Sequence, residues 1–176
     1  MAKKTKADLK RAATKAALIE FLKKAEGYNP VGKHINDHEA AAGIVTGGWG
    51  STGRVGLDEA VDPKLAAEWL GGDADWALDR AYASLPASVM DGLNPNQVAA
   101  LASLIYNVGA TGFKQRKDGT PTNAYQALLA GDHATFLKEA FDPQIGFVRQ
   151  GGNIINGLVN RRADERALWN GFRPLP

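Results

Sequence analysis

The residues best suited to chemistry lie close together in the first third of the chain. Glu26 follows an apolar, helix-patterned run, Ala16-Ala17-Leu18-Ile19-Glu20-Phe21-Leu22, and is itself followed at once by Gly27. After a polar loop comes Gly43-Ile44-Val45-Thr46-Gly47-Gly48-Trp49-Gly50. A carboxylate at a helix end, facing a glycine-rich hairpin, can serve as a general acid beside a cleft. Such an acid suits glycoside hydrolysis, where one carboxylic acid protonates the leaving oxygen and a second group handles water or the developing cation.

Other chemistries fit less well. His34 and His38 lie four apart with Asp37 and Glu39 nearby, but Gly32-Lys33-His34-Ile35-Asn36-Asp37 is a poor helix former. Ile35 also stands where the metalloprotease pattern needs Glu, so no metal site is expected. The run Gly47–Gly53 lacks the Lys-Ser/Thr ending of a phosphate-binding loop, and tight turns explain its glycines better. Ser51, Ser84, Ser88 and Ser103 have no G-x-S-x-G setting. His133 is isolated near a helix start, and no cofactor is implied.

The elements that must hold Glu26 follow from periodicity. Residues 7–25 read as an amphipathic helix with Leu9, Ala12, Ala13, Ala16, Ala17, Ile19 and Leu22 on an apolar stripe. Residues 27–56, rich in Gly, Asn, Asp and His, read as a small irregular β-hairpin region. From residue 57 the chain reads as helical to its end. Asp62-Pro63 opens a helix that stops at Gly71-Gly72, and Asp73 starts another. Asn94-Pro95 opens the most apolar helix, with Val98, Leu101, Ala102, Ile105 and Val108 at helical spacing, which makes it the central core helix. Residues 110–121 read as a loop, Asn123–Ala130 as a short helix, Asp132 as the cap of the next, and Gly151-Gly152-Asn153 as a break before the last helix, Gly157–Trp169. Trp69, Trp76 and Trp169 are expected in the core. The fold class is α+β, mostly α, in one domain of residues 1–176, with a basic N-terminal helix (1–26), a small β lobe (27–56) and a helical lobe (57–176). A site between lobes is the default expectation.

The chain has 176 residues, 44% of them hydrophobic, no cysteine and a net charge of +2. It can bury a core without disulfides or a thiolate metal site. Charge is uneven: Lys3, Lys4, Lys6, Lys10, Arg11, Lys15, Lys23 and Lys24 stand against Asp8 and Glu20 at the start, whereas residues 58–79 are strongly acidic. An anionic glycan, lipopolysaccharide or nucleic acid would suit the basic end, as would a plain solvated helix face. No secretory signal is expected, because the stretch after the basic start is broken by Asp8, Lys10, Arg11, Lys15 and Glu20, and no segment approaches the roughly 20 apolar residues of a membrane span.

Glu26-Gly27 followed by Gly43-Ile44-Val45-Thr46-Gly47-Gly48-Trp49-Gly50-Ser51-Thr52-Gly53 resembles the phage-type lysozymes, the endolysin muramidases. Leu93-Asn94-Pro95-Asn96-Gln97-Val98-Ala99-Ala100-Leu101 with Tyr106-Asn107-Val108-Gly109 resembles their central-helix block. Gly157-Leu158-Val159-Asn160-Arg161-Arg162-Ala163-Asp164-Glu165-Arg166 with Trp169 resembles their C-terminal block. The resemblance implies a lysozyme-like fold and cleavage, with inversion, of the β-1,4 bond between N-acetylmuramic acid and N-acetylglucosamine in peptidoglycan. It makes Glu26 the general acid, Thr46 the threonine that helps place water, and Arg162, or alternatively Arg161, the arginine that orients the acid. Tyr28 and Trp49, which border the expected cleft, are candidates to stack on sugar faces, with core or hairpin packing the alternative for Trp49.

Two departures stand out. Ser51 replaces a His of the family pattern. The family's Asp between the Glu and the Thr falls at neither Ile35 nor Ala40, because the Glu26–Thr46 loop is longer here; Asp37 is the nearest candidate and Glu39 the next. Without a second carboxylate, a lytic transglycosylase or a virion-associated lysozyme-fold protein without activity would be the alternative. The resemblance implies peptidoglycan strands as the partner, no nucleic acid, a monomer, and synthesis in the host bacterial cytoplasm with passage to the periplasm through a holin pore. The basic N-terminal helix would add contact with an anionic outer-membrane surface.

Overall fold

A computed structural model gives the architecture; it describes residues 5–35 and 37–171, the side chains of Asp37 and His38 excepted. The fold is α+β and mostly α, as expected. Helix α1 runs Lys6–Glu26. Its start is fixed reciprocally: the Asp8 N–H donates to Thr5 Oγ1 (3.1 Å) and the Thr5 N–H to Asp8 Oδ2 (2.9 Å), a capping box built on Asp. Thr14, Leu18, Phe21 and Leu22 form its buried stripe.

The chain separates into two compact units, Ile19–Trp76 and the residues that flank it on both sides. In Ile19–Trp76, strands β1 (Asn29–Lys33), β2 (Thr46–Gly48) and β3 (Ser51–Thr52) form an antiparallel sheet in that order, with the short helix α2 (Asp37–Ala41) between β1 and β2. The register pairs Asn29 with Gly48, Lys33 with Thr46, and Gly47 with Ser51, with an irregularity inside β1. Strands this short cannot bury a core of their own. The unit therefore extends beyond residues 27–56 to take in the end of α1 and the start of α3 (Pro63–Ser84), whose buried Phe21, Leu22, Ala66 and Leu70 supply the apolar surface. Contact is close: a methyl group at Gly48 would lie 2.8 Å from the Ala66 Cβ.

Helix α3 corrects one expectation. It passes through Gly71-Gly72 without stopping. Each glycine costs about 1 kcal/mol in a helix interior, but Ala66, Leu70, Ala74, Ala77, Leu78 and Ala81 are all buried along one stripe that continues across the pair.

The flanking unit is helical: α4 (Ala87–Gly92), α5 (Pro95–Val108), α6 (Ala110–Lys114), α7 (Asn123–Leu129), α8 (His133–Phe141) and α9 (Asn156–Trp169). Helix α5 is the central one, and Val98 to Ile105 is buried without a break. Asn94 and Gln97 form a full capping box, with Pro95 at the first helical position. Two segments differ from expectation. Residues 110–114, read as loop, form α6, anchored by the buried Phe113. Gly151-Gly152, read as a break, make the turn of a hairpin between β4 (Arg149–Gln150) and β5 (Asn153–Ile154). Trp169 is buried against Phe136 (4.7 Å between centroids), with His133 edge-on at 5.4 Å. Trp69 is half-buried, and Trp76, at 47% exposure, is not a core residue.

Part of the basic charge of α1 is used inside this unit. Lys10 Nζ donates to the Met90 and Asp91 carbonyls (2.8 and 3.2 Å), at the end of α4. Arg11 Nη2 pairs with Asp79 at 2.7 Å.

Candidate active site

Glu26 is the last residue of α1, and Gly27, at φ +66°, turns the chain directly into β1. The Glu26 side chain is half-buried and faces the β2–β3 turn. A methyl group on Gly50 would sit 3.2 Å from Glu26 Oε2 and 3.4 Å from its Cγ. Gly50 also has φ +81°, so both backbone conformation and space call for glycine there. This is the geometry of a carboxyl group with a bare backbone wall beside it.

Trp49, next to Gly50, is held from two sides. The Tyr28 ring lies 4.8 Å away, tilted by 52°, and the Tyr28 hydroxyl donates to the Val61 carbonyl at 3.0 Å. Lys23 Nζ sits 4.8 Å from the Trp49 ring centroid, within cation–π range. Tyr28 remains 37% exposed and Trp49 half-buried.

Thr46 is buried at the start of β2, and its hydroxyl donates to Glu39 Oε2 at 3.5 Å. The same Glu39 oxygen accepts the Ile35 N–H at 2.9 Å. Glu39 projects from α2, which begins at Asp37; the Asp37 side chain lies outside the described residues. His34 Nδ1 hydrogen-bonds the Ile44 carbonyl, and the described residues contain no group of three potential metal ligands.

Glu26, Tyr28, Thr46 and Trp49 therefore share the unit Ile19–Trp76, whereas Arg162 belongs to the helical unit. Arg162 is fully buried there. Its Nε lies 2.8 Å from Glu165 Oε2, and its Nη2 donates to Asn107 Oδ1 (2.9 Å) and Glu165 Oε1 (3.2 Å). Ser103 also donates to Glu165 Oε1 at 2.7 Å, and Arg161 Nε approaches it at 3.4 Å. Burial pushes the Glu165 carboxyl above its usual range, against the pull of both guanidiniums and the Ser103 hydroxyl. The spacing Arg161-Arg162-x-x-Glu165 carried this signal, since residues three and four apart meet on a helix, but sequence alone did not show that the face is buried.

The phage lysozyme family matches residues 23–165, from the last turn of α1 into α9. The chain belongs to the phage lysozyme family. The endolysin of Salmonella phage P22 is 31% identical over 157 residues, which are 86% of this chain and 93% of that protein. The SAR-endolysin of Escherichia phage Mu is 35% identical over 96 residues, or 54% of this chain; the match spans only 50% of that relative's length. The active form of P1 phage endolysin shares the fold, with a TM-score of 0.67 at 20% identity over 88% of this chain and 83% of its own.

Within the phage lysozyme family pattern, the position taken by Ser51 has a local consequence. The Ser51 hydroxyl donates to Asp73 Oδ2 at 3.0 Å, while Arg54 Nη2 meets Asp73 Oδ1 at 2.6 Å. One carboxylate on α3 thus ties down β3 and the residues after it, close in sequence to the Trp49-Gly50 turn. Lys23, Arg54 and Asp73 were not picked out from the sequence as parts of this site.

Proposed function

We propose that this member of the phage lysozyme family is an endolysin muramidase. It hydrolyses the β-1,4 bond between N-acetylmuramic acid and N-acetylglucosamine in host peptidoglycan, with residues 1–176 acting as one catalytic domain. The observation that carries the reading is the Glu26 carboxyl group set against the bare backbone at Gly50, on the family's own motif. Glu26 protonates the leaving oxygen. Thr46 and a carboxylate of α2 place the attacking water on the opposite face of the sugar, which inverts the anomeric centre. Asp37 is the first candidate on α2 and Glu39 the alternative; the contact between Glu39 and the Thr46 hydroxyl supports a carboxylate of α2 beside Thr46 and hence a hydrolase. Tyr28 and Trp49 form the aromatic flank for the sugar. Arg162 is the supporting arginine of this reading; within the helical unit it joins α9 to α5 through Asn107.

The protein acts on the host cell wall as a monomer, made in the host cytoplasm and passing the membrane through a holin pore. Among the described residues no helix is long and apolar enough to cross a membrane. A contribution of α1 to outer-membrane contact draws on fewer cations than the sequence contains, because Lys10 and Arg11 are already engaged.

The test is a digest of purified Gram-negative peptidoglycan by the wild type, Asp37→Asn and Glu39→Gln, with products read by mass spectrometry. Hydrated reducing muramic ends from the wild type, lost in one of the two variants, are expected. Anhydro-muramic ends insensitive to both substitutions would show a lytic transglycosylase and overturn the hydrolytic mechanism.

A further inference from the structure

Lys23 and Glu26 stand three residues apart on α1 and therefore on one face of the helix. That face meets two successive residues of the β2–β3 turn: Lys23 Nζ lies over the Trp49 ring, and the Glu26 side chain lies against Gly50. Trp49 also meets Tyr28, which is pinned through its hydroxyl to the Val61 carbonyl. A turn of this kind, with glycine in the left-handed region on both sides of Trp49 (Gly48 at φ +60° and Gly50 at φ +81°), has little backbone preference to hold its tip in place. Strand pairing at Gly47 and Ser51 and the packing of Gly48 on Ala66 fix the base of the turn, and the side chain of Trp49 bears on its tip.

We propose that Lys23 is a positioning residue for the general acid: its ammonium holds Trp49, and through Trp49 it keeps the Gly50 backbone against the Glu26 carboxyl group. The inference rests on Glu26 being the general acid. Lys23 touches no reacting atom in this scheme. It fixes the wall against which the carboxyl group is aimed, and small misplacements of an acid cost rate rather than binding. The interaction needs a cation over the indole face, which Arg also provides and Met or Gln does not.

The test compares the wild type with Lys23→Met, Lys23→Arg and Glu26→Gln on soluble peptidoglycan fragments, with kcat and KM measured separately and melting temperature recorded for each. Lys23→Met is expected to lower kcat about three- to fivefold, the loss expected for one exposed cation–π contact, with a smaller change in KM because Trp49 also flanks the sugar, while Lys23→Arg stays within about twofold of the wild type. A Lys23→Met variant with wild-type kcat, even at a lowered melting temperature, means a merely structural contact and overturns the proposal. So does an arginine variant as slow as the methionine one. An active Glu26→Gln variant instead removes the general-acid reading and this inference with it; an inactive one beside an unaffected Lys23→Met removes this inference alone.

Discussion

Glu26 and Glu165 are both glutamates set on helices, and they are held in opposite ways. Glu26 ends its helix, half-buried, with the backbone of a glycine turn beside it. Glu165 lies inside α9 with no exposure, between two arginines and a serine hydroxyl. A carboxyl group that must give its proton to a substrate needs an approachable oxygen. One that ties two helices together needs counter-charge around it, because a buried charge is tolerated only when it is paired. On the proposed reading of Glu26 as the general acid, the difference separates the chemical carboxyl group from the structural one.

The largest effects should come from exchanging each for its amide. Glu26→Gln is expected to lower kcat/KM by about 10²–10⁴-fold and, since the amide keeps the shape and one acceptor oxygen, to cost less stability than the same exchange at Glu165. Glu165→Gln should do the reverse, costing about 3–5 kcal/mol in denaturant unfolding because Arg162 is left buried without a counter-charge. Equal stability losses in the two variants would erase the distinction.

A smaller effect sharpens the geometry on the Glu26 side. Gly50 and Gly53 both have positive φ, but only a methyl group on Gly50 would press on Glu26; nothing lies within 4 Å of one on Gly53. Both alanine variants should lose about 1–2 kcal/mol from forcing an L-residue into the left-handed region, read from unfolding curves. Only Gly50→Ala should also lose turnover. Equal turnover in the two would mean that the wall beside Glu26 does not matter.

The smallest effect concerns a third carboxylate, exposed and purely a cap. The Thr135 hydroxyl and N–H hold the Asp132 carboxyl below its usual range. A depressed carboxylate contributes stability above its unfolded value, and that contribution is lost as pH falls through the folded one. Asn caps without titrating. The melting temperature of Asp132→Asn should therefore fall less than that of the wild type as pH drops from about 5 to about 2. Parallel curves would mean that the cap does not titrate with folding.

The contrast between the two glutamates also explains what the sequence could reveal. Helix α5 was legible because its signals agree: Asn94 and Pro95 at the start, then an apolar stripe. The placement of Glu26 was legible for the same reason, since helix end, glycine and hairpin follow one another along the chain. The continuity of α3 was not legible, because local glycine propensity opposes a stripe whose burial only tertiary structure reveals. The hairpin at 149–154 was missed because paired glycines end a helix and turn a strand equally well. The surroundings of Arg162 were hidden in part because Ser103 and Asn107 lie on another helix, far away in sequence. Lys23 was passed over as one more cation in a basic helix; its relation to Trp49 exists only once the turn folds back.

The hold of Lys10 on the end of α4 changes what a truncated chain would report. Removing residues 2–15 is the obvious way to ask whether the basic helix acts on membranes. That cut would also take away the ammonium that closes the Met90 and Asp91 carbonyls and the guanidinium held by Asp79. A shortened protein that no longer clears intact cells would then report a damaged scaffold as readily as a lost membrane contact. Reversing the charge at the exposed Lys6 leaves those anchors in place and separates the two.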